Sequence, residues 1–120
     1  MRYCRAENRA RGSVLGTRVA LADRWWHRLR GLIGRSTLAS GEGLILRPCR
    51  AVHMAWMSFP LDVAFLDGKG RVVASYHGLA PGSRSHWHSE ALDALELPAG
   101  TLARTGTLNG DTIVYTEVGS

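Results

Sequence analysis

Short apolar runs and alternating apolar and polar positions dominate the chain, and both patterns are typical of β-strands. The best-defined pair covers 61–66 (LDVAFL) and 71–76 (RVVASY), separated by the turn sequence DGKG at 67–70. This arrangement predicts a β-hairpin. Further strands are predicted at 13–21, 43–48, 91–97 and 112–118.

Helical spacing marks an early segment of the chain. Asp23 is a suitable N-cap for a helix that begins at Arg24. Within this helix Trp26, Leu29 and Ile33 share one face. Two glycines, at positions 31 and 34, weaken the helix and end it.

A second, short helix is predicted from Pro98 to about Thr105, with Gly106 as its C′ residue. Because the strands follow one another without long helices between them, we expect a mainly β fold. This β-rich α+β domain would be a small sandwich or a partly closed barrel, with one early helix and one short late helix. The basic residues 1–12 are expected to form a flexible tail, and 13–120 a single domain.

The composition narrows the classes of function. A chain of 120 residues with 45% apolar and 21% charged residues suits one globular domain. The net charge of +5 permits weak binding to anionic surfaces, but no zinc-finger, RNP or clear helix-turn-helix motif is present, so we expect no specific nucleic-acid partner. Without a recognisable secretory signal or an apolar stretch of membrane-spanning length, we expect a cytoplasmic monomer, with Cys4 and Cys49 reduced.

The candidate chemistry is concentrated in the run 48–67, PCRAVHMAWMSFPLDVAFLD. Cys49, His53 and Met57 are equally spaced in it, and Asp62 follows in a second apolar stretch. Cysteine, histidine and methionine are the ligands of blue-copper sites. On a strand, however, the three would span about 26 Å at roughly 3.3 Å per residue. Core positions for Cys49 and Met57 are therefore favoured, and no metal is predicted.

His53 and Asp62 form the more informative pair. If the segments on either side of Pro60 fold back on each other, the imidazole and the carboxylate could meet, as in a general base oriented by an acid. With Cys49 as nucleophile, the three residues are the catalytic candidates for a hydrolase or transferase. No Gly-flanked nucleophile elbow accompanies Cys49, so a structural role is favoured over catalysis. In that role His53 and Asp62 form hydrogen bonds with each other or with loop backbone groups at a turn.

The leading hypothesis is therefore a non-enzymatic β-domain that binds a small ligand or a protein partner, without a cofactor, in a cleft around His53 and Asp62. Arg35 and Glu42 flank a Gly-rich turn and could hold an anionic or sugar-like ligand there. The predicted ligand-binding residues are Arg35, Glu42, His53, Trp56, Met57 and Asp62.

Two features lie outside the run 48–67. Glu96 precedes Pro98 and is expected to cap the late helix or to pair with an arginine. His86 and His88, with Glu90, could bind a metal if this segment were strand-like, because alternating side chains share a face. A solvated loop over 77–90 is favoured instead.

Five sequence blocks, in this order, resemble the family known as domain of unknown function 192 (DUF192). They are RLRGLIGR (28–35), GEGLILRPCRAVHMAWMSFPLDVAFLD (41–67), GRVV (70–73), LELPAGT (95–101) and NGD (109–111). The resemblance implies a small, mainly β fold and no established activity. The positions that match its motifs are Gly31, Leu32, Gly34, Arg35, Gly41, Glu42, Gly43, Pro48, Cys49, His53, Met57, Asp62, Asp67, Glu96, Pro98 and Gly100. The sequence His86-Trp87-His88 departs from the family pattern.

Overall fold

A computed structural model describes residues 2–22, 37–55 and 57–119 of the chain. Within these ranges seven strands form one mixed sheet in the order β5-β4-β6-β3-β2-β1-β7, accompanied by one short helix, α1. The strands are β1 (Arg2–Asn8), β2 (Ser13–Ala22), β3 (Glu42–Leu46), β4 (Leu61–Leu66), β5 (Val72–Leu79), β6 (Asp93–Pro98) and β7 (Ile113–Val118), and α1 is Thr101–Thr105. The prediction of a mainly β fold is confirmed.

Neighbouring strands are antiparallel except for β2 and β3, which are parallel. A parallel pair needs a crossover connection, and the predicted early helix falls in that connection, outside the described residues. The sheet is not closed into a barrel. Its edge strands β5 and β7 approach each other at one corner, where Arg71 and Thr112 form an isolated bridge and Ile113 N donates to Gly70 O at 2.8 Å.

The expected flexible tail at 1–12 is wrong for residues 2–8, which form β1 between β2 and β7. Cys4, Ala6 and Asn8 point into the protein and are buried, while the residues between them are more accessible. This period of two is the pattern of a strand with one covered face. The sequence gives only a weak strand signal here, because just two of the buried side chains of β1, Cys4 and Ala6, are apolar and three arginines lie among residues 2–9.

The two faces of the sheet are covered differently. On one, which we call the helix-covered face, Leu95 and Leu97 of β6 pack with Leu102 of α1. On the other, the loop-covered face, Leu44 and Val63 pack with Val52, Met54 and Ala91 from loops. Both faces of the central strands are therefore buried, and each residue of such a strand belongs to one face by alternation.

The late helix α1 begins at Thr101, three residues after the predicted start at Pro98. Gly100 precedes it with φ 95°, a left-handed conformation that favours glycine, so the chain turns before the helix begins. Gly106 ends it with φ 68° and donates its N–H back to Ala103 O, as predicted for the C′ position. None of the helices in the described ranges has the length and apolar character needed to span a membrane.

Candidate functional site

Two segments, 49–55 and 82–92, lie side by side over the loop-covered face, and we call them the paired loops. Backbone hydrogen bonds join them along most of their length. These run from Cys49 N to Leu92 O (2.8 Å), Met54 N to Ser83 O (2.8 Å), Gly82 N to Met54 O (2.8 Å), Ser85 N to Val52 O (3.0 Å) and His88 N to Arg50 O (2.8 Å). The first part of the run 48–67 is thus held in a defined, non-helical conformation by the segment that contains His86-Trp87-His88.

Residues 50–55 alternate between solvent and core. Val52 and Met54 are buried against the sheet, whereas Arg50, His53 and Ala55 are exposed. His53 Nδ1 accepts the N–H of Ala55 at 3.1 Å. The imidazole therefore lies on the outer side of the paired loops, away from the sheet.

Cys49 and Met57 are half-buried and pack against the loop-covered cluster, which agrees with the core positions expected for them. The Cys49 thiol donates to Ala51 O at 3.0 Å. No described hydrogen bond joins Cys49 to His53, so the geometry supplies no nucleophile–base pair. The two cysteines, Cys4 and Cys49, are not bonded to each other.

Asp62 belongs to the opposite side of the sheet. It is 1% exposed, and its carboxylate accepts three backbone N–H groups: Gly78 at 2.8 Å, Gly100 at 3.1 Å and Leu102 at 2.9 Å. Asp62 therefore binds the backbone of β5 and caps α1. This capping role was expected for Glu96. The predicted pairing of His53 with Asp62 is wrong, because alternation along β4 directs Asp62 to the helix-covered face while His53 lies outside the other face.

Glu42 begins β3 and is half-buried, with Oε1 accepting the N–H of Ala39 at 2.8 Å. By alternation it shares the loop-covered face with Leu44. Arg35 and Trp56, the remaining predicted ligand-binding residues, lie outside the described residues. The expected closeness of Arg35 and Glu42 therefore stays a prediction.

Glu96 is a buried carboxylate that the sequence did not single out for function. It is 7% exposed and lies on the central strand β6, with Leu44 of β3 and Val63 of β4 as its register partners. It thus faces the loop-covered side. No described residue gives its carboxylate a hydrogen bond or an ion pair, and burial raises the pKa of Glu96 to about 7. Neither of its expected roles, helix cap or arginine partner, is observed among the described residues.

The contrast between Asp62 and Glu96, two of the buried carboxylates, is informative. An ionised carboxylate in a core is stable when backbone N–H groups bind it, as they bind Asp62. Among the described residues Glu96 has no such donors, and burial disfavours its ionised form. The sequence signal for it is a charged residue inside the run LEL of a strand whose faces are both covered.

Glu42 and Glu96 lie near each other on the loop-covered face. Leu44 is the register partner of Glu96 across the β3–β6 pair, and Glu42 is two residues before Leu44. Such diagonal positions on one face are about 7–8 Å apart. Two carboxylates therefore project from neighbouring strands on the side that the paired loops cover.

The loop expected over 77–90 contains ordered contacts. Residues 77–79 extend β5, and Tyr76 Oη lies 2.7 Å from His88 Nε2. The His88 ring also packs on Phe65, with 4.6 Å between centroids. Tyr76 Oη accepts the N–H of His86 at 3.0 Å, so we assign its own hydrogen to His88 Nε2. Burial, and secondarily the nearby His86, lowers the pKa of His88.

The spacing of His86, His88 and Glu90 would suit a metal site only if this segment were strand-like. Within the described ranges no group of three histidine, cysteine or acidic side chains is placed to hold a metal ion. The His88 ring instead faces Phe65 and Tyr76. The solvated-loop interpretation is correct for His86 and Glu90, which are exposed, and is wrong for half-buried His88.

Comparisons with known proteins agree with this fold. A protein of unknown function from Novosphingobium aromaticivorans is 24% identical, with a TM-score of 0.78 over 93% of this chain and 83% of that one. A protein described as a candidate transcription regulator from Sinorhizobium meliloti is 26% identical, with a TM-score of 0.74 over 95% of this chain and 92% of that one. No curated protein matches the chain.

The DUF192 family model, described as an uncharacterised ACR, matches residues 6–115. This range includes every strand from β2 to β6, the helix α1 and both paired loops. It also includes the buried carboxylates of Asp62 and Glu96. The match confirms the resemblance found in the five sequence blocks, and the chain belongs to the DUF192 family.

Proposed function

We propose that the protein binds a small ligand on the loop-covered face of its sheet, with Glu96 as the central recognition group. The observation that carries the proposal is the burial of the Glu96 carboxylate at 7% exposure without a described partner. Buried polar groups in native proteins are nearly always hydrogen-bonded. A buried carboxylate without a donor among the described residues is most simply explained by a partner that arrives with the ligand.

The surroundings of Glu96 suit a ligand site. Binding sites for small molecules are mostly apolar with a few polar groups that fix orientation. Leu44 and Val63 flank Glu96 on the neighbouring strands, and Met54 and Met57 belong to the same apolar cluster. Loops that cover a rigid sheet are also the elements that most often carry function.

The charge of Glu96 indicates the chemistry of the ligand. An ionised carboxylate accepts hydrogen bonds but donates none. We infer that the ligand presents a cationic or strongly donating group, such as an amine or a guanidine. Pairing with such a group favours the ionised form of Glu96, so binding should strengthen as the pH rises through about 7.

A thermal-unfolding screen against small amines and guanidines tests the proposal. A ligand that binds only the folded state raises its midpoint of unfolding. We expect at least one compound to stabilise the wild type more at about pH 8 than at about pH 5, and to have little effect on Glu96→Gln. Equal effects on both proteins, or no stabilisation across the panel, would argue against a cation site at Glu96.

A further inference from the structure

Trp87 is the most exposed large apolar side chain among the described residues, at 69%. The backbone on either side of it is nevertheless fixed. His86 N donates to Tyr76 Oη at 3.0 Å, and His88 N donates to Arg50 O at 2.8 Å. A fixed backbone that holds an indole in solvent presents a stacking surface, and tryptophan is enriched at recognition sites for this reason.

A pocket of about 260 Å³ lies against one side of Trp87 and is lined by Pro48, Cys49, Arg50 and Ala51. Arg50 Nε donates to Ser89 O at 3.2 Å, which anchors the guanidinium. Its outer N–H groups have no described partner, and no described carboxylate pairs with it. The planar fork of a guanidinium binds carboxylates and phosphates with two parallel hydrogen bonds.

The charge around Trp87 is asymmetric. Arg84, in the paired loops, is exposed and also has no described ion pair, and its backbone forms a bridge with His53. The acidic residue nearby, Glu90, lines a separate pocket of about 190 Å³ with Val73, His88 and Ser89, also against Trp87. Trp87 thus separates an arginine-lined pocket from one that carries a carboxylate, and an anion is complementary to the first.

We propose that the pocket formed by 48–51 and Trp87 binds a planar aromatic anion. The ring stacks on the indole of Trp87, and the anionic group forms hydrogen bonds with the outer N–H groups of Arg50. A volume of about 260 Å³ suits one or two rings. This site lies on the outer side of the paired loops. Glu96 lies on the sheet, beneath the inner side of the same loops, so each of the two proposals can be tested without the other.

An NMR titration of the indole Nε1–H signal of Trp87 tests the proposal, with the signal assigned from Trp87→Phe. The probes are benzoate and adenosine monophosphate as aromatic anions, adenosine as a neutral ring and inorganic phosphate as an anion without a ring. We expect one or both aromatic anions to shift the signal, and which of them does so distinguishes a carboxylate from a phosphate ligand. Adenosine and inorganic phosphate should bind about tenfold more weakly or worse.

Two variants complete the test, and both change exposed side chains. Arg50→Gln should weaken binding of the aromatic anion about tenfold in this titration. Trp87→Ala should weaken it equally when the backbone N–H signals of Arg50 and Ala51 are followed instead. The matched controls Arg9→Gln and Leu108→Ala, also at exposed positions, should leave it unchanged. The proposal is overturned if neither aromatic anion shifts the signal, if adenosine or phosphate binds as tightly as the aromatic anions, or if Arg50→Gln binds like the wild type.

Discussion

Replacing Glu96 with Gln tests whether the sheet holds a carboxylate without a partner. Burial raises the pKa of Glu96 from its ordinary 4.5 to about 7. The folded protein therefore retains this proton over a pH range in which the unfolded chain has lost it, and stability falls as the pH rises from about 4.5 to about 7. Because one pKa unit corresponds to about 1.4 kcal/mol, the ionised carboxylate destabilises the folded protein by about 3 kcal/mol above pH 7.

Gln has nearly the shape of protonated Glu but cannot ionise. We therefore expect Glu96→Gln to match the wild type in free energy of unfolding at about pH 4.5 and to exceed it by up to about 3 kcal/mol at about pH 8. Urea denaturation of both proteins at the two pH values measures this difference. Taking the difference cancels the titration of all other groups.

Glu90→Gln is the matched control, because Glu90 is exposed. It should change the free energy of unfolding by less than about 0.5 kcal/mol at either pH. If Glu96→Gln gains the same amount at both pH values, or is less stable than the wild type at about pH 8, the reasoning is refuted. Either result would mean that the ionised carboxylate has a partner in the folded protein.

Three further substitutions probe polar groups that do have partners. Asp62→Ala should lower the free energy of unfolding by at least about 2 kcal/mol in urea denaturation, because three backbone N–H groups lose their acceptor; a loss below about 1 kcal/mol would contradict this. A hydrogen bond from Asn8, with further donors, lowers the pKa of Asp111 to about 2. The ionised Asp111 carboxylate therefore stabilises the folded protein above about pH 4, and this stabilisation is lost as the pH falls to about 2. Asp111→Asn should therefore cost about 2 kcal/mol at neutral pH and flatten the acid dependence of stability, and an unchanged acid dependence would count against it. Tyr76→Phe removes the hydroxyl bonded to His88, so the pKa of His88, which burial lowers, should rise in an NMR titration; a constant or lower value would contradict the assigned hydrogen bond.

The parts of the fold with local signals were predictable. The hairpin of β4 and β5 follows from two apolar runs around the turn at 67–70, and the end of α1 follows from Gly106. Strand β1 was not recognised, because one of its two partners, β7, is distant in the sequence and its exposed positions carry arginine and glutamate. A strand of this kind is defined by tertiary pairing more than by its own composition.

The candidate site was predictable only as a list of chemical groups. The run 48–67 does contain a buried carboxylate, Asp62, but its donors at Gly100 and Leu102 are 38 and 40 residues away. Which of Asp62 and Glu96 finds such donors depends on which face of the sheet each occupies. A one-residue change of register exchanges the two faces. Sequence reasoning therefore assigned the cap to Glu96, whereas in the structure Asp62 binds the backbone at the start of α1 and Glu96 lies on the other face of the sheet.

The most direct test of the central claim is a carbon-detected NMR titration of the Glu96 side-chain carboxyl in the protein without ligand. A buried carboxylate without a partner should titrate with a midpoint of about 7, and the midpoint should fall when a cationic ligand binds. A midpoint at or below the ordinary 4.5 in the protein alone would show that Glu96 already has a partner, and would contradict its role as the group that awaits a ligand.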